Sequence, residues 1–171
     1  EEIAEVHTPP VVIKPPNGGA GKGVMIMPKE ELAEPSFALP AVIQEFIDTS
    51  GGIPGIIEGI HDFRIILIDG VPALCYVRTP PPGKLIANVA QGGVFKIVDA
   101  EHIPAEALEI AHGIDAAFSD IPFRLFSVDM GRMKDGSWKV IECNAPPGLF
   151  ASEGDDRIKR YHQLTADYLL S

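Results

Sequence analysis

Two Asp-Gly dipeptides, each lying between two runs of strand-forming residues, constrain the fold of this chain most. Asp69-Gly70 separates DFRIILI from VPALCYVR, and Asp135-Gly136 separates FRLFSVDMGRMK from SWKVIECN. Asp-Gly accepts the positive φ angles of tight hairpin turns, so each pair of runs is predicted to form an antiparallel hairpin. Helical spacing is clear over residues 104–118, and a second amphipathic segment covers 156–170. The sequence therefore predicts an α+β fold with a mainly antiparallel sheet.

The overall charge and the cysteines exclude several classes of protein. The chain of 171 residues has a net charge of −10, which disfavours binding to nucleic acid or to anionic membranes. Its apolar runs are shorter than the roughly 20 residues that a membrane span requires. Cys75 and Cys143 both lie in apolar runs, so we expect two buried thiols in a reducing compartment. We expect a cytoplasmic protein, and its oligomeric state is left open.

A glycine-rich loop, NGGAGKG over residues 17–23, follows the run VVIKP and precedes VMIM. Glycines allow consecutive backbone amides to point into one concavity and hold an anion, and nearby lysines add positive charge. Lys14 and Lys22 are the lysines in this position. The loop is therefore a candidate phosphate site, and the alternative is a flexible hairpin loop whose lysines face solvent.

The hairpin at Asp135-Gly136 is predicted to bring acidic side chains together. With a two-residue turn, Asp129 lies directly opposite Glu142, with Cβ atoms about 5 Å apart, and Asn144 projects from the same face. Opposed like charges are destabilising, so a cation is expected between them. Carboxylate and amide oxygens without His or Cys favour Mg²⁺ over zinc. The alternative is a solvated hairpin face on which the acids repel each other weakly.

The hairpin at Asp69-Gly70 carries Asp62, Arg64 and Arg78. A two-residue turn would place the two arginines on opposite faces, whereas a three-residue loop over residues 68–70 would place them on one face with Asp62. The sequence does not decide between these registers. We favour the three-residue loop, because arginines facing a metal–phosphate site would stabilise the charge that develops in phosphoryl transfer. The alternative is that each arginine pairs with a surface carboxylate.

Five segments in this order resemble the ATP-grasp superfamily, in the branch of RimK-type glutamate ligases and glutathione synthetases: VVIKPPNGGAGKGVMI, VIQEFID, HDFRIILIDGVPALCYVR, KLIANVAQGG and FSVDMGRMKDGSWKVIECNAPPGL. The resemblance implies two lobes with mainly antiparallel sheets that enclose a nucleotide cleft. Residues 1–47 would form a partial N-terminal lobe with the glycine loop, and residues 48–171 a C-terminal lobe with the Mg²⁺ site. Such enzymes usually carry a further N-terminal domain, so we expect this chain to be a fragment that lacks it.

The resemblance also implies roles for individual residues. Lys14 and Lys22 would contact the nucleotide phosphates, and Gly21 and Gly23 would belong to the loop that closes over them. The hinge strand that contacts adenine would consist of Gln44, Glu45, Phe46 and Ile47, and Asp48 would contact the ribose. The Mg²⁺ ligands would be Asp129, Glu142 and Asn144. Arg78, Arg64 and Asn88 would lie around the γ-phosphate and the acyl phosphate.

The implied activity is an ATP-dependent ligase that joins a carboxylate to an amine or thiol through an acyl phosphate. Its cofactors would be ATP and Mg²⁺, or Mn²⁺ in its place, and its substrates small molecules or peptides that the sequence does not identify. The alternatives are a kinase that phosphorylates a hydroxyl group and a catalytically silent nucleotide-binding module. His61 is expected to be a neighbour of the site and not a general base.

Overall fold

Two antiparallel sheets and two helices make up the described part of the chain. The computed structural model describes residues 10–17, 21–33, 40–87, 92–148 and 154–170. The strands are β1 (Val11–Lys14), β2 (Met25–Met27), β3 (Val42–Glu45), β4 (Asp62–Ile68), β5 (Val71–Thr79), β6 (Val94–Ile97), β7 (Leu125–Arg132) and β8 (Trp138–Asn144). The helices are α1 (Ala105–Ala117) and α2 (Asp156–Leu170), with short 3-10 helices at Lys29–Ala33 and Ala100–His102. The predicted α+β class is confirmed.

The smaller sheet has the strand order β2-β1-β3. Residues on β1 alternate between its two faces, as the pleat of a strand requires. Val11 and Ile13 are buried and pack with Met27 on one face, whereas Val12 and Lys14 line a cleft on the other. This sheet therefore has one apolar face that forms its own core and one face that is available to a ligand.

The larger sheet has the order β6-β5-β4-β7-β8, and one helix packs on each of its faces. Alternate apolar residues of its central strands, among them Phe63 and Val128, form a core with Ala107 and Ala111 of α1. On the opposite face, Tyr161 of α2 packs against a cluster that includes Ile66 of β4. The hydroxyl of Tyr168 in α2 lies 3.3 Å from Asp69 in the β4–β5 turn, whereas Arg64 and Arg78 of the same face line the cleft. Neither helix in the described part of the chain has the length and apolar character needed to cross a membrane.

The β4–β5 hairpin has a two-residue turn, so the expected three-residue loop is wrong. Ile68 pairs with Val71, and Asp69 and Gly70 have φ angles of 44° and 79°. The register then shifts by one residue in a β-bulge at Pro72–Leu74, where proline cannot donate a ladder hydrogen bond. Beyond the bulge Asp62 pairs with Arg78. The arginines therefore share one face, as expected, but the bulge and not the turn brings this about.

The β7–β8 hairpin departs from its expected register twice, and the departures cancel. The Met133 N–H donates to the Ser137 carbonyl over 2.8 Å, which leaves three residues in the loop instead of two. A bulge at Val140–Glu142 then restores the register, so that Asp129 pairs with Glu142 as predicted. The interpretation of Cys143 as buried is wrong: Cys75 is buried, but Cys143 is exposed because β8 is the edge strand of the sheet.

Candidate functional site

A cleft of about 880 Å³ lies between the two sheets and is lined by residues from both. Its charged lining residues are Lys14, Lys22, Glu45, Asp62, Arg64, Arg78 and Glu142. Its apolar lining includes Val12, Ile26, Phe46, Ile47 and Ile141. A cavity with cationic side chains in one part and apolar side chains in another suits a ligand that carries both an anionic group and a flat apolar group.

Alternating acids and arginines form the charged wall on the larger sheet. Arg64 binds both carboxylate oxygens of Asp129 through Nε and Nη2. Arg78 Nη2 donates to Asp129 Oδ2 over 2.7 Å and to Asp62 Oδ1 over 2.6 Å. Only 1% of Asp129 is exposed, so its charge is compensated by these two guanidinium groups and not by water.

Burial and pairing shift the acid–base behaviour of this wall in opposite directions. Burial, and then the neighbouring charge of Asp129, raise the pKa of Asp62 to about 7, although the Arg78 ion pair opposes the shift. Burial alone would lower the pKa of Arg64, but the hydrogen bond and charge of Asp129 raise it above its ordinary value. The arginines are therefore fixed cations in a desolvated wall, where their charge acts more strongly than it would in water.

Glu142 and Asn144 continue this wall at the edge of the larger sheet. Asn144 Nδ2 donates to Glu142 Oε1 over 3.0 Å. Arg64 Nη2 lies 3.9 Å from Glu142 Oε1, and Lys14 Nζ of the smaller sheet lies 3.7 Å from Glu142 Oε2. The three predicted metal ligands, Asp129, Glu142 and Asn144, therefore lie close together, and Asp129 is opposite Glu142. The cation between these two acids is the guanidinium group of Arg64.

The oxygen donors of this edge fit Mg²⁺ in part. Glu142 and Asn144 line the cleft, and carboxylate and amide oxygens are hard ligands of the kind Mg²⁺ takes. Both oxygens of Asp129 are bound by arginines, so this carboxylate could reach a metal only by giving up part of that pairing. Among the described residues no three His, Cys, Asp or Glu side chains form a metal cluster, so the predicted site depends on the amide of Asn144.

The glycine loop is described on both sides of residues 18–20. Lys14, Gly21 and Lys22 line the cleft, as do the two arginines of the larger sheet. Gly23 has a φ angle of 72°, and a Cβ atom there would lie 3.3 Å from Pro15 Cγ, so glycine suits this turn. The structure thus brings the predicted phosphate-contacting residues to the cleft, and gives Gly23 a place in the turn.

The predicted hinge strand also lines the cleft. Gln44, Glu45, Phe46 and Ile47 all lie in the lining. Gln44 Nε2 donates to the Ile141 carbonyl over 3.0 Å, and Lys139 Nζ binds the Glu45 carboxylate over 2.7 Å. These contacts tie β3 to β8, so the two sheets are held at a defined separation on this side of the cleft.

One further predicted residue has a different placement. Asp48, the expected ribose contact, pairs with Lys134 over 2.9 Å and accepts a hydrogen bond from the Ser50 N–H over 3.0 Å. The Ser50 and Lys134 hydrogen bonds lower the pKa of Asp48 to about 2, and its side chain is turned to these partners instead of the cleft lining. Asn88 lies outside the described residues. Both roles stay predictions.

His61 lies at the cleft but its ring is used in the protein framework. Its Nδ1 lies 3.0 Å from the Gly59 carbonyl, and its Nε2 accepts a hydrogen bond from the Arg132 N–H over 3.2 Å. Burial lowers the pKa of His61, which keeps the ring neutral and able to accept that bond. Thr49 Oγ1 donates to the His61 carbonyl over 2.8 Å and accepts from its N–H over 3.0 Å. These contacts join the loop before β4 to β7.

Replacing Gly131 by alanine is expected to lower the free energy of unfolding by about 1–3 kcal/mol. A Cβ atom at Gly131 would overlap Thr49 Cγ2 and lie 3.3 Å from Ile47 Cγ2. Thr49 cannot turn away, because its side chain is bound to His61. Gly113→Ala in α1 is the matched control: a Cβ there meets nothing within 4 Å, and the helix should gain up to about 1 kcal/mol. Equal effects of both changes in urea unfolding would contradict the tight contact.

Tyr76 is the residue of this site that sequence reasoning missed. It is 1% exposed, and the guanidinium groups of Arg64 and Arg78 both lie over its ring. Its position two residues before Arg78 in the sequence indicates that the two side chains lie on the same face of β5. Its place opposite Arg64 depends on the bulge after Pro72, which the sequence pattern did not reveal.

Comparison with solved structures defines the class of fold. D-cycloserine synthetase DcsG superposes with a TM-score of 0.59 at 20% identity, over 93% of this chain and 55% of that chain. The ATP-grasp ligase PsnB, complexed with a precursor variant, Mg and ADP, gives a TM-score of 0.58 at 19% identity, over 96% of this chain and 48% of that chain. The fold is therefore that of ATP-grasp ligases.

The sequence comparison assigns the chain more narrowly. The RimK-like ATP-grasp domain matches residues 1–167, and the chain belongs to this family. It is 35% identical to a glutathione synthetase of Prochlorococcus marinus (strain MIT 9313), over 94% of this chain and 50% of the relative. It is 29% identical to a probable alpha-L-glutamate ligase of Thioalkalivibrio sulfidiphilus, over 86% of this chain and 46% of the relative. The chain thus spans about half the length of the curated relatives it matches.

Proposed function

We propose that this chain binds ATP with Mg²⁺ in the cleft and forms the nucleotide-binding part of a ligase that joins a carboxylate to an amine. The observation that carries the proposal is that one cleft is lined by Arg64 and Arg78 of the larger sheet and by Lys14 and Lys22 of the smaller sheet and its glycine loop. Fixed cations on both walls suit a chain of phosphate groups. The relatives named glutathione synthetase and alpha-L-glutamate ligase support this class of reaction.

The nucleotide would lie with its base between the hinge strand and β8, and its phosphates toward the lysines. Phe46, Ile47 and Ile141 provide apolar surface for a base, next to the Gln44 contact that joins the two sheets. Lys14 and Lys22 would bind phosphate oxygens, and Glu142 and Asn144 would hold Mg²⁺, which supplies charge neutralisation between the phosphates. The same arrangement would take Mn²⁺.

The proposed reaction has two steps. An oxygen of the substrate carboxylate attacks the γ-phosphorus of ATP, so that an acyl phosphate forms and ADP leaves with the bridging oxygen. The amine nitrogen then attacks the acyl carbon and loses a proton, and inorganic phosphate departs with the C–O bonding electrons. Arg64 and Arg78 would stabilise the charge on the transferred phosphoryl oxygens, which is the main demand of such a step. The acceptor is a small molecule or a peptide.

The test is ADP formation by the chain with ATP, Mg²⁺ and a panel of amino acids and short acidic peptides, with hydroxylamine as the trapping amine. We expect ADP release that depends on the carboxylate, together with an equal amount of hydroxamate, since hydroxylamine attacks an acyl phosphate. A phosphorylated alcohol without hydroxamate would instead indicate a kinase. Such a kinase result would contradict the ligase, whereas nucleotide binding without ADP under any acceptor would show that this chain alone is a silent binding module. No binding of ATP would contradict the proposed function as a whole.

A further inference from the structure

Tyr76 lies against both arginines of the charged wall. The Cζ atom of Arg64 is 6.0 Å from the centroid of its ring, and that of Arg78 is 5.8 Å away. The ring is 1% exposed, so these contacts are screened from water. A guanidinium group within about 6 Å of an aromatic ring is attracted to its negative face, more strongly where water is excluded. One ring therefore stabilises two like charges that would otherwise repel each other.

Three strands fix the ring in this place. Tyr76 pairs directly with Arg64 across β4 and β5, and it lies two residues before Arg78 on β5, so all three side chains share one face. Phe95 of β6, which pairs with Arg78, packs against the Tyr76 ring at a centroid distance of 6.0 Å and an angle of 72°. The ring cannot swing away without breaking this edge-to-face contact.

The phenol stays neutral in this environment. Burial raises the pKa of Tyr76 to about 12, while the charges of Arg64 and Arg78 pull it in the opposite direction. The arginines therefore meet an uncharged ring and not a phenolate, and their positive charge is left for Asp129, Asp62 and a ligand.

We propose that Tyr76 is a positioning residue, which holds the Arg64 and Arg78 guanidinium groups side by side so that both reach the terminal phosphate of a bound nucleoside triphosphate. This inference rests on the proposed function, and it adds a residue that does not touch the phosphate itself. Asp129 binds both arginines, and Asp62 binds Arg78 as well. The ring would add a second contact to each guanidinium group beside these carboxylates, and so limit the rotation of both groups about Asp129.

The ratio of ATP affinity to ADP affinity tests this role, because only the terminal phosphate distinguishes the two ligands. Isothermal titration calorimetry with Mg²⁺ would give both dissociation constants for the unchanged chain, Tyr76→Phe and Tyr76→Leu. Tyr76→Phe keeps the ring and should keep the ratio within about threefold. Tyr76→Leu removes the ring and should lower the preference for ATP by about tenfold, with little change in ADP affinity.

Two further variants separate positioning from loss of core packing. Tyr76→Met keeps more of the side-chain length without a ring, and should lower the ratio as Tyr76→Leu does, so the test stands even if the leucine variant does not fold. Phe63→Leu removes an equally buried ring from the opposite face of β4, where it packs on Trp138. It should reduce stability but leave the ATP-to-ADP ratio unchanged.

The outcomes distinguish this inference from the function on which it rests. If the unchanged chain binds neither nucleotide, the proposed function is wrong and this role for Tyr76 falls with it. If the chain prefers ATP and the folded Tyr76→Leu or Tyr76→Met variant keeps that preference, the positioning role alone is overturned. An equal loss in Tyr76→Phe would also overturn it, because the hydroxyl and not the ring would then be responsible.

Discussion

Replacing Asp129 by asparagine is expected to lower the free energy of unfolding by about 3–5 kcal/mol. The change removes the shared counter-ion of two arginines whose side chains are each only 11% exposed. Asparagine keeps the shape of the side chain but cannot compensate a buried guanidinium charge. Removal of one partner from a buried ion pair is costly for this reason, even where the pair itself adds little net stability. Urea unfolding followed by circular dichroism measures the effect.

A surface aspartate provides the control for this prediction. Asp156 pairs with Lys159 at the start of α2, and its side chain is 92% exposed. Asp156→Asn should change the free energy of unfolding by less than about 1 kcal/mol, since exposed ion pairs contribute little. Adding Arg64→Met to Asp129→Asn should recover part of the loss, because it removes one of the uncompensated charges. A loss below about 1 kcal/mol in Asp129→Asn would contradict the account of the charged wall.

Replacing Glu142 by glutamine is expected to lower ATP turnover by at least about 100-fold. Glutamine preserves the size and the contact with Asn144 but removes the negative charge that a divalent cation requires. Because 45% of the Glu142 side chain is exposed, the free energy of unfolding should change by less than about 1 kcal/mol. Titration of ATP with and without Mg²⁺ adds a second measurement: the affinity of this variant should depend much less on the metal than that of the unchanged chain.

The matched control is Glu109→Gln, which removes the same charge from the exposed surface of α1. It should leave both turnover and the Mg²⁺ dependence of ATP binding unchanged, which separates the metal site from the effect of net charge. Turnover and metal dependence that remain normal in Glu142→Gln would remove this residue from the proposed metal ligands. They would leave the fold and the arginine pairs untouched.

The sequence predicted both hairpins, but it did not predict how the hairpins set their registers. Asp-Gly marks the position of a turn, whereas the number of residues in the loop also depends on the strands on either side. Pro72 removes one backbone donor from β5, and the bulge beside it moves Arg78 to the face of Asp62. In β7–β8 the longer loop and the bulge offset each other, so the opposition of Asp129 and Glu142 was predicted correctly from an incorrect turn.

The candidate site was predictable where it depended on neighbours within one hairpin, and not where it depended on strands far apart in sequence. The proximity of Asp129 to Glu142 follows from counting along β7 and β8. The direct pairing of Arg64 with Asp129 arises between β4 and β7, which adjoin only in the folded sheet. Because the sequence did not reveal this long-range pairing, the cation between the two acids was expected to be a metal ion. In the structure the guanidinium group of Arg64 lies there.

The bulge beside Pro72 has a consequence for how this protein can vary in length. If the extra residue were lost, every position of β5 beyond it would change sides: Arg78 would turn toward α1, and Val77 would turn into the cleft. Extra residues in the loop at positions 134–136 would extend into solvent and leave the strand pairing intact. Insertions and deletions should therefore accumulate at the second loop during evolution, while the length of the first hairpin stays constant.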